Sequence, residues 1–263
     1  MPSPKDPPIL ARMIVLFTDF GAGGPYLGQV KAVLHGAAPT IPVIDLVADA
    51  PAHDPMSAAY LLAAYVSEFP HGTVFLAVVD PGVGSKRRAA VAEIDGRWFT
   101  GPDNGLFEPL LRRSAHARAW EIVWRPERLS ASFHGRDIFA PIAARLAHGE
   151  HPWDEPMWQE HPWAAALPLE RLRRFEWPDE LARIVYFDHF GNATTGMRAS
   201  TLAETSVLTV AGRRMTRART FADVPAGTAF WYENANGLAE IAVNQGRADR
   251  LLGVAIGTSV TVE

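Results

Sequence analysis

Val74-Phe75-Leu76-Ala77-Val78-Val79 is a run of six apolar residues, closed by Asp80-Pro81-Gly82. A short run without alternation between apolar and polar positions suits a strand buried on both faces, as in a parallel sheet covered by helices. Two earlier segments follow the same pattern. Met13-Ile14-Val15-Leu16-Phe17 is closed by Thr18-Asp19-Phe20-Gly21, and Val43-Ile44-Asp45-Leu46-Val47 forms a second short run. Between these runs lie segments with helical spacing: Leu27, Val30 and Leu34 in the first, and the alanine-rich 56–66 in the second. Further strands are predicted at 89–94 and 121–124, with a helix near 106–111. Another helix opens at Arg136-Asp137 and places Ile138, Phe139, Ile142, Ala143 and Leu146 on one face. These alternations predict an α/β domain with a mainly parallel sheet over residues 10–165.

From residue 149 to 180 the composition changes. This stretch holds Trp153, Trp158, Trp163 and Trp177, four of the eight tryptophans, among five prolines. Proline at that density interrupts regular structure, and tryptophan carries a large apolar surface that favours burial. A packed connector is expected, set at 166–180. Beyond it, short strand candidates at 182–187, 206–210, 229–232, 238–243 and 259–262 are separated by Gly191-Asn192, Ala211-Gly212, Asn236-Gly237 and Gln245-Gly246. Strands at such spacing, with little helical periodicity, predict a small all-β barrel domain over 181–263.

The 263 residues are 48% hydrophobic, which suffices for one large or two small cores. The absence of cysteine removes disulfide scaffolds, thiolate metal sites and cysteine nucleophiles together. With 25 Lys+Arg against 29 Asp+Glu, the net charge of −4 argues against a nucleic-acid partner. Only Lys5, Lys31 and Lys86 could form a Schiff base. The opening Met-Pro-Ser-Pro-Lys-Asp-Pro-Pro has no apolar core behind its charge, and no apolar run nears the roughly 20 residues that span a bilayer. The expectation is a soluble, cytoplasmic protein without a membrane partner. No His-x-x-x-His spacing occurs, so no metal is expected.

Two strand ends carry carboxylates, Asp19 and Asp80, and glycine-rich turns follow both. Asp and Gly are also ordinary turn formers, but ligands of open α/β sheets sit outside the carboxyl ends of the strands. An Asp there can accept hydrogen bonds from both hydroxyls of a ribose. Neither turn has a dinucleotide or phosphate-loop frame. Asp80 has Arg87 seven residues on, across a Pro-Gly turn, which suits either a structural ion pair or a site. His134 lies just ahead of a predicted helix, whose N-terminus lowers an imidazole pKa and keeps the ring neutral and able to accept a proton. Phe190, in Asp188-His189-Phe190-Gly191-Asn192, is a phenylalanine at a turn tip, suited to a flat ligand or to a neighbouring domain.

Taken in order, Thr18-Asp19-Phe20-Gly21, Val78-Val79-Asp80-Pro81-Gly82-Val83-Gly84 with Arg87, and Pro102-Asp103-Asn104-Gly105-Leu106 resemble the S-adenosylmethionine hydroxide adenosyltransferase family, relatives of the fluorinases and chlorinases. The match continues through Phe133-His134-Gly135-Arg136-Asp137, Asp188-His189-Phe190-Gly191-Asn192, and Asn236-Gly237 with Glu240-Ile241-Ala242-Val243-Asn244. The resemblance implies an N-terminal α/β domain and a C-terminal β-barrel. It also implies homotrimers with each site between the N-domain of one subunit and the C-domain of the next. The implied activity is hydrolysis of S-adenosylmethionine to adenosine and methionine, with that molecule as substrate and no cofactor. By the same resemblance Asp80, Arg87 and His134 generate the hydroxide and Asp19 holds the ribose hydroxyls. Phe190 and Asn192 contact the adenine, Asp188 the methionine ammonium, and Asn236 belongs to the substrate-binding set.

Two departures bear on the alternatives. Halogenases carry an aromatic residue where this chain has Asp80, which argues against a halide nucleophile. The family often has serine in the second position of Asn234-Ala235-Asn236-Gly237, and Ala235 cannot donate a hydrogen bond to the methionine carboxylate. A halide-using relative is therefore the second reading. A binding protein for adenosine or S-adenosylmethionine without turnover is the third.

Overall fold

The computed structural model describes residues 12–154 and 162–263, so Trp158 of the tryptophan-rich stretch lies outside the described residues. The chain divides into two compact units. The first runs as far as Pro55 and resumes with Ser67–Arg174; the second takes Met56–Val66 and Phe175–Glu263.

The first unit is built on strands β1 (Ile14–Thr18), β2 (Val43–Val47), β3 (Val74–Val78), β4 (Ala89–Ile94), β5 (Arg97–Pro102), β6 (Ala117–Ile122) and β7 (Ala164–Ala166). Its helices are α1 (Pro25–Ala37), α3 (Glu108–Arg113) and α4 (Ala140–His148); α2 (Pro55–Tyr65) falls almost wholly in the second unit. The seven strands form one sheet in the order β2-β1-β3-β5-β4-β6-β7. The pairings from β2 to β5 are parallel, and β4, β6 and β7 extend the sheet antiparallel. Every residue of β1 and β3 is buried, which explains their unbroken apolar sequences. On α1, Leu27, Val30 and Leu34 are the buried positions, at the predicted spacing.

β5 was not foreseen as a strand. It returns from β4 through Asp95-Gly96, both at positive φ (45° and 74°), the two-residue geometry that matches strand twist. It then pairs parallel to β3. Gly101 permits the close approach, since a Cβ there would stand 2.1 Å from the Ala77 carbonyl oxygen.

The segment before residue 175 is tied down by charge. Glu108, fully buried, accepts from Arg112 Nε (3.1 Å), Arg173 Nε (3.0 Å) and the Arg174 backbone N–H (2.6 Å). Trp163 is buried in the core of the first unit, whereas Trp153 stays half exposed, stacked on His151 with the Arg118 guanidinium over its ring.

The second unit contains β8 (Leu181–Phe187), β9 (Ala193–Arg198), β10 (Leu208–Val210), β11 (Arg213–Met215), β12 (Ala229–Glu233), β13 (Leu238–Val243), α5 (Ala248–Leu252) and β14 (Thr261–Val262). A four-stranded sheet, β12-β13-β9-β8, and a three-stranded sheet, β11-β10-β14, are both antiparallel. Isolated bridges Arg183–Ser259 and Arg217–Trp231 join their edges, so the strands close into a ring. Trp231 fills the interior, fully buried, with its indole N–H donating to the Ser206 carbonyl (2.9 Å). Among the described residues, no helix is long and apolar enough to cross a membrane.

Candidate active site

β1 and β3 are neighbours in parallel register, with Thr18 opposite Val78. Their carboxyl ends therefore deliver Asp19 and Asp80 side by side, at the edge where the chain leaves β1 in one direction and returns on its other flank. After β3 the chain turns at Asp80-Pro81-Gly82-Val83, the Val83 N–H reaching the Asp80 carbonyl at 3.3 Å. The turn brings Arg87 back onto Asp80. Arg87 Nε donates to both carboxylate oxygens (2.9 and 3.0 Å), and its Nη2 pairs with Oδ2. Both side chains are nearly excluded from solvent, Asp80 at 5% and Arg87 at 11% exposure.

The third partner arrives from a different element. His134 immediately precedes a single π-helical turn, Gly135–Phe139, that runs into α4. Arg87 Nη2 lies 3.2 Å from His134 Nδ1, and the Arg87 guanidinium stands over the ring of Phe139 (5.4 Å to its centroid). A guanidinium has donors only, so Nδ1 must accept and the proton of the neutral ring sits on Nε2. His134 thus offers a donor, not a vacant base nitrogen, to whatever occupies the site. Its pKa is held below the usual imidazole range, first by burial and then by the Arg87 charge, while Asp80 opposes. The sequence predicts a neutral ring from the helix terminus; the structure adds burial and the Arg87 charge, which act in the same direction.

Gly135 joins this element to the Asp19 loop. A Cβ there would come within 2.8 Å of Phe20 Cζ. Phe20 packs edge-on against Phe133. Asp19 accepts from the His53 backbone N–H (3.3 Å), and its carboxyl is pushed above the ordinary range mainly by burial, with the Asp80 charge adding to it. The arrangement is two carboxylates, one guanidinium and one neutral imidazole at one sheet edge. Among the described residues no group of three or more His, Asp or Glu could hold a metal ion.

The second unit carries a separate cleft of about 650 Å³, lined by Asp188, Phe190, Asn192, Phe221, Tyr232, Val243, Gln245, Gly246 and Arg247. Three of the sequence-predicted residues, Asp188, Phe190 and Asn192, meet there. The Asn192 backbone N–H and side-chain Nδ2 both donate to the Asp188 carboxylate (2.8 and 2.9 Å), which holds that carboxylate in place and leaves Asn192 Oδ1 unspent by it. Phe190 is 71% exposed, an unusual position for a phenyl ring, and lines the same cleft as Phe221 and Tyr232. Gly191, at φ 84°, lies so close under Arg247 that a Cβ would be 2.8 Å from its Cζ. Asn236 is elsewhere, in the β12–β13 turn, where its backbone N–H donates to Asn234 Oδ1 (3.0 Å). It is not among the residues lining the cleft.

Sequence reasoning missed Phe221, Tyr232, Arg247 and the role of Glu240. Glu240 is buried in β13, opposite Tyr232 of β12 and Thr194 of β9. Its carboxylate accepts from Thr194 Oγ1 (2.7 Å), Asn234 Nδ2 (2.9 Å) and the Tyr232 hydroxyl. Burial and that bond raise the Tyr232 pKa far above its usual value, so the phenol stays a donor to Glu240. The β12–β13 connection closes as a three-residue loop, 235–237, with Gly237 at φ 77°, which sets Glu240 opposite Tyr232; a two-residue Asn-Gly turn would have set it opposite Glu233, so the sequence alone does not give the pair.

The family model for the SAM hydroxide adenosyltransferase N-terminal domain matches residues 14–155, and that for the C-terminal domain matches 182–261. The chain belongs to the SAM hydroxide adenosyltransferase family. An (R)-S-adenosyl-L-methionine hydrolase of Thermus thermophilus is 40% identical over 267 residues, covering 95% of this chain and 98% of that protein. The crystal structure of an uncharacterized conserved protein from Thermotoga maritima superposes with a TM-score of 0.78 at 29% identity, covering 95% of this chain and all of that one. A fluorinase of Nocardia brasiliensis is 22% identical over 239 residues, a more distant relation within the same sequence space. The two domain matches fall on the unit with the Asp80–Arg87–His134 cluster and the unit with the aromatic cleft.

Glu240→Ala is expected to lower the unfolding free energy by at least about 1–3 kcal/mol, because three donors, the Thr194 hydroxyl buried and the other two partly so, lose their acceptor. Glu240→Gln, which keeps one acceptor, should lose less. Urea denaturation followed by tryptophan fluorescence measures both, and an unchanged midpoint for the alanine variant would refute the assignment.

Proposed function

We propose that this chain is a cytoplasmic, homotrimeric enzyme that hydrolyses S-adenosyl-L-methionine to adenosine and L-methionine. The observation that supports it most is the buried Asp80–Arg87–His134 cluster in a chain 40% identical to an S-adenosylmethionine hydrolase. The relatives' name specifies the (R) sulfonium, and this epimer is the proposed substrate here.

The substrate is a sulfonium cation, so the thioether leaves neutral and needs no acid. The reaction needs an oxygen nucleophile in line with the C5′–S bond. In the proposed mechanism Asp80 accepts a hydrogen bond from the attacking water and takes its proton as the C5′–O bond forms. His134 donates Nε2–H to the same oxygen. Arg87 offsets the charge of Asp80 and of the developing hydroxide. Attack by an anionic oxygen on a cation cancels charge, which a water-poor site favours. Holding the reactants in line can contribute up to roughly 7–11 kcal/mol in favourable cases.

Binding divides between the two units. Asp19 takes the ribose hydroxyls. Phe190 stacks on the adenine and Asn192 meets its polar edge, with Phe221 and Tyr232 completing the aromatic wall. Asp188 receives the methionine ammonium, and Asn236 approaches from its turn. In the trimer proposed from the family resemblance, the first unit of one subunit and the second unit of its neighbour supply these groups. Light scattering of the purified protein should then give three times the chain mass; a monomer of full activity would exclude the shared site.

Incubation with each sulfonium epimer, with and without chloride, should release adenosine and methionine from the (R) form at a rate independent of halide. Asp80→Asn is expected to lower turnover by about 100-fold or more while adenosine still binds. A halogenated nucleoside would turn the reading to a halogenase, and intact substrate with bound adenosine to a binding protein.

The neutral His134 sets the sign of the acid limb. Its pKa is lowered in the folded protein, so the active neutral form persists below the usual imidazole value of about 6.5 and is lost as pH falls through the lowered value. The pH profile of kcat/KM should therefore remain flat through pH 6.5 and drop below it. A limb centred above 6.5 would contradict this.

A further inference from the structure

The loop Pro102-Asp103-Asn104-Gly105, between β5 and α3, takes no part in the chemistry described so far. It lies across both feet of the turn that carries Asp80 and Arg87. On one side Asn104 Nδ2 donates to the Val79 carbonyl (2.8 Å), the oxygen of the peptide that joins Val79 to Asp80. That bond fixes the plane of the peptide entering Asp80 and so the direction in which its Cα–Cβ bond leaves the strand. On the other side the Asp103 backbone N–H donates to the Arg88 carbonyl (3.0 Å). The same carbonyl accepts from Arg87 Nη1 (3.1 Å), so the loop holds the oxygen that in turn holds the Arg87 guanidinium.

Charge reinforces this grip. The Asp103 carboxylate, 3% exposed, pairs with Arg88 (Nη2 to Oδ2, 2.6 Å) and with Arg174 (Nη2 to Oδ1, 3.1 Å). Asparagine suits position 104 because its two ends face opposite demands: Nδ2 meets a carbonyl, while Oδ1 accepts the Leu106 N–H at 3.3 Å. Aspartate has the same shape but would set an anionic oxygen against the Val79 carbonyl and leave it without a donor.

We propose that Asn104, backed by Asp103, is a positioning residue for hydrolysis: its Nδ2 grips the peptide before Asp80 while the Asp103 N–H holds the carbonyl beside Arg87, and together they aim the Asp80–Arg87 pair. The inference rests on the reading of Asp80 and Arg87 as catalytic. Asn104 touches no reacting atom in this scheme. Its effect reaches the reaction through alignment, and misplacement of a reacting group by about 1 Å can cost on the order of 100-fold in rate.

The test is the isosteric Asn104→Asp, with Asn104→Ala as a second variant that removes the donor without adding charge. Each is assayed for S-adenosylmethionine hydrolysis and for adenosine binding by calorimetry, well below its melting temperature. The expected result is a kcat lower by about 10- to 100-fold, with KM and the adenosine Kd within about twofold of wild type. Wild-type kcat in either folded variant overturns the proposal. So does a parallel loss of kcat, KM and adenosine binding that follows the melting temperature, or failure of both variants to fold, since each marks the loop as plain structural support. Asp80→Asn in the same assay separates the two levels of the argument. If Asp80→Asn turns over normally, the catalytic reading itself falls; if it is inactive while Asn104→Asp is normal, only the positioning role falls.

Discussion

The paired carboxylate and guanidinium of Asp80 and Arg87 set the conditions for the rest of the first unit. Both are almost removed from water, and an ion pair in that position is tolerable only when its geometry is good and its remaining polar atoms are occupied. Three contacts join the pair to each other, one joins Arg87 to the Arg88 carbonyl, and one joins it to His134 Nδ1. The ring of Phe139 covers the guanidinium from the helix that also presents His134. The ion pair therefore joins the end of β3 and the turn after it to the turn that leads into α4, 47 positions further along the chain. It also fixes the imidazole tautomer, because arginine can only donate.

The second unit solves a related problem with a single buried carboxylate. Glu240 sits in the central strand of its sheet, where an unpaired charge would be costly, and the strands on either side each supply a hydroxyl to it. Asn234 supplies the third donor and uses its own oxygen to shape the Asn234–Gly237 turn, accepting from the Asn236 and Leu238 N–H groups. The aromatic wall of the cleft is thereby held from behind: Tyr232 is locked by its hydroxyl, and its ring edge and face are what remain for a ligand. Asp188 is fixed in the same manner by Asn192. In both units the polar groups proposed to meet the substrate are held in place by other polar groups, a preorganisation that lowers the cost of ordering on binding.

The strands that were legible share a composition. β1, β2, β3, β4 and β13 are rich in Val, Ile, Leu and Ala and nearly coincide with the expected bounds. The missed strands are those whose residues signal something else. β5 ends in Gly-Pro, which reads as a turn, yet Gly101 is there because the Ala77 carbonyl leaves no room for a Cβ. β9, Ala193–Arg198, is small and polar with a glycine inside, and Gly196 is needed because a Cβ would stand 2.7 Å from Leu181 Cβ. In both, close packing against another strand selects residues with poor strand propensity.

Sequence alone determined the order of elements and the α/β-then-β organisation, and it marked Asp19, Asp80, Arg87, His134 and Phe190 as candidates because strand ends, helix starts and turn tips are local signals; the family resemblance added Asp188 and Asn192. Tertiary structure decided what those residues touch. That Arg87 pairs with Asp80 and also reaches across 47 positions to His134, that burial and the Arg87 charge lower the imidazole pKa, and that Asn236 stands apart from the cleft all depend on which strands become neighbours. Burial and charge pairing are properties of the assembled sheet edge and not of any one segment. A buried Glu240 reads in sequence as an ordinary acidic residue in an apolar strand, and only the two flanking strands reveal the donors that make its burial affordable.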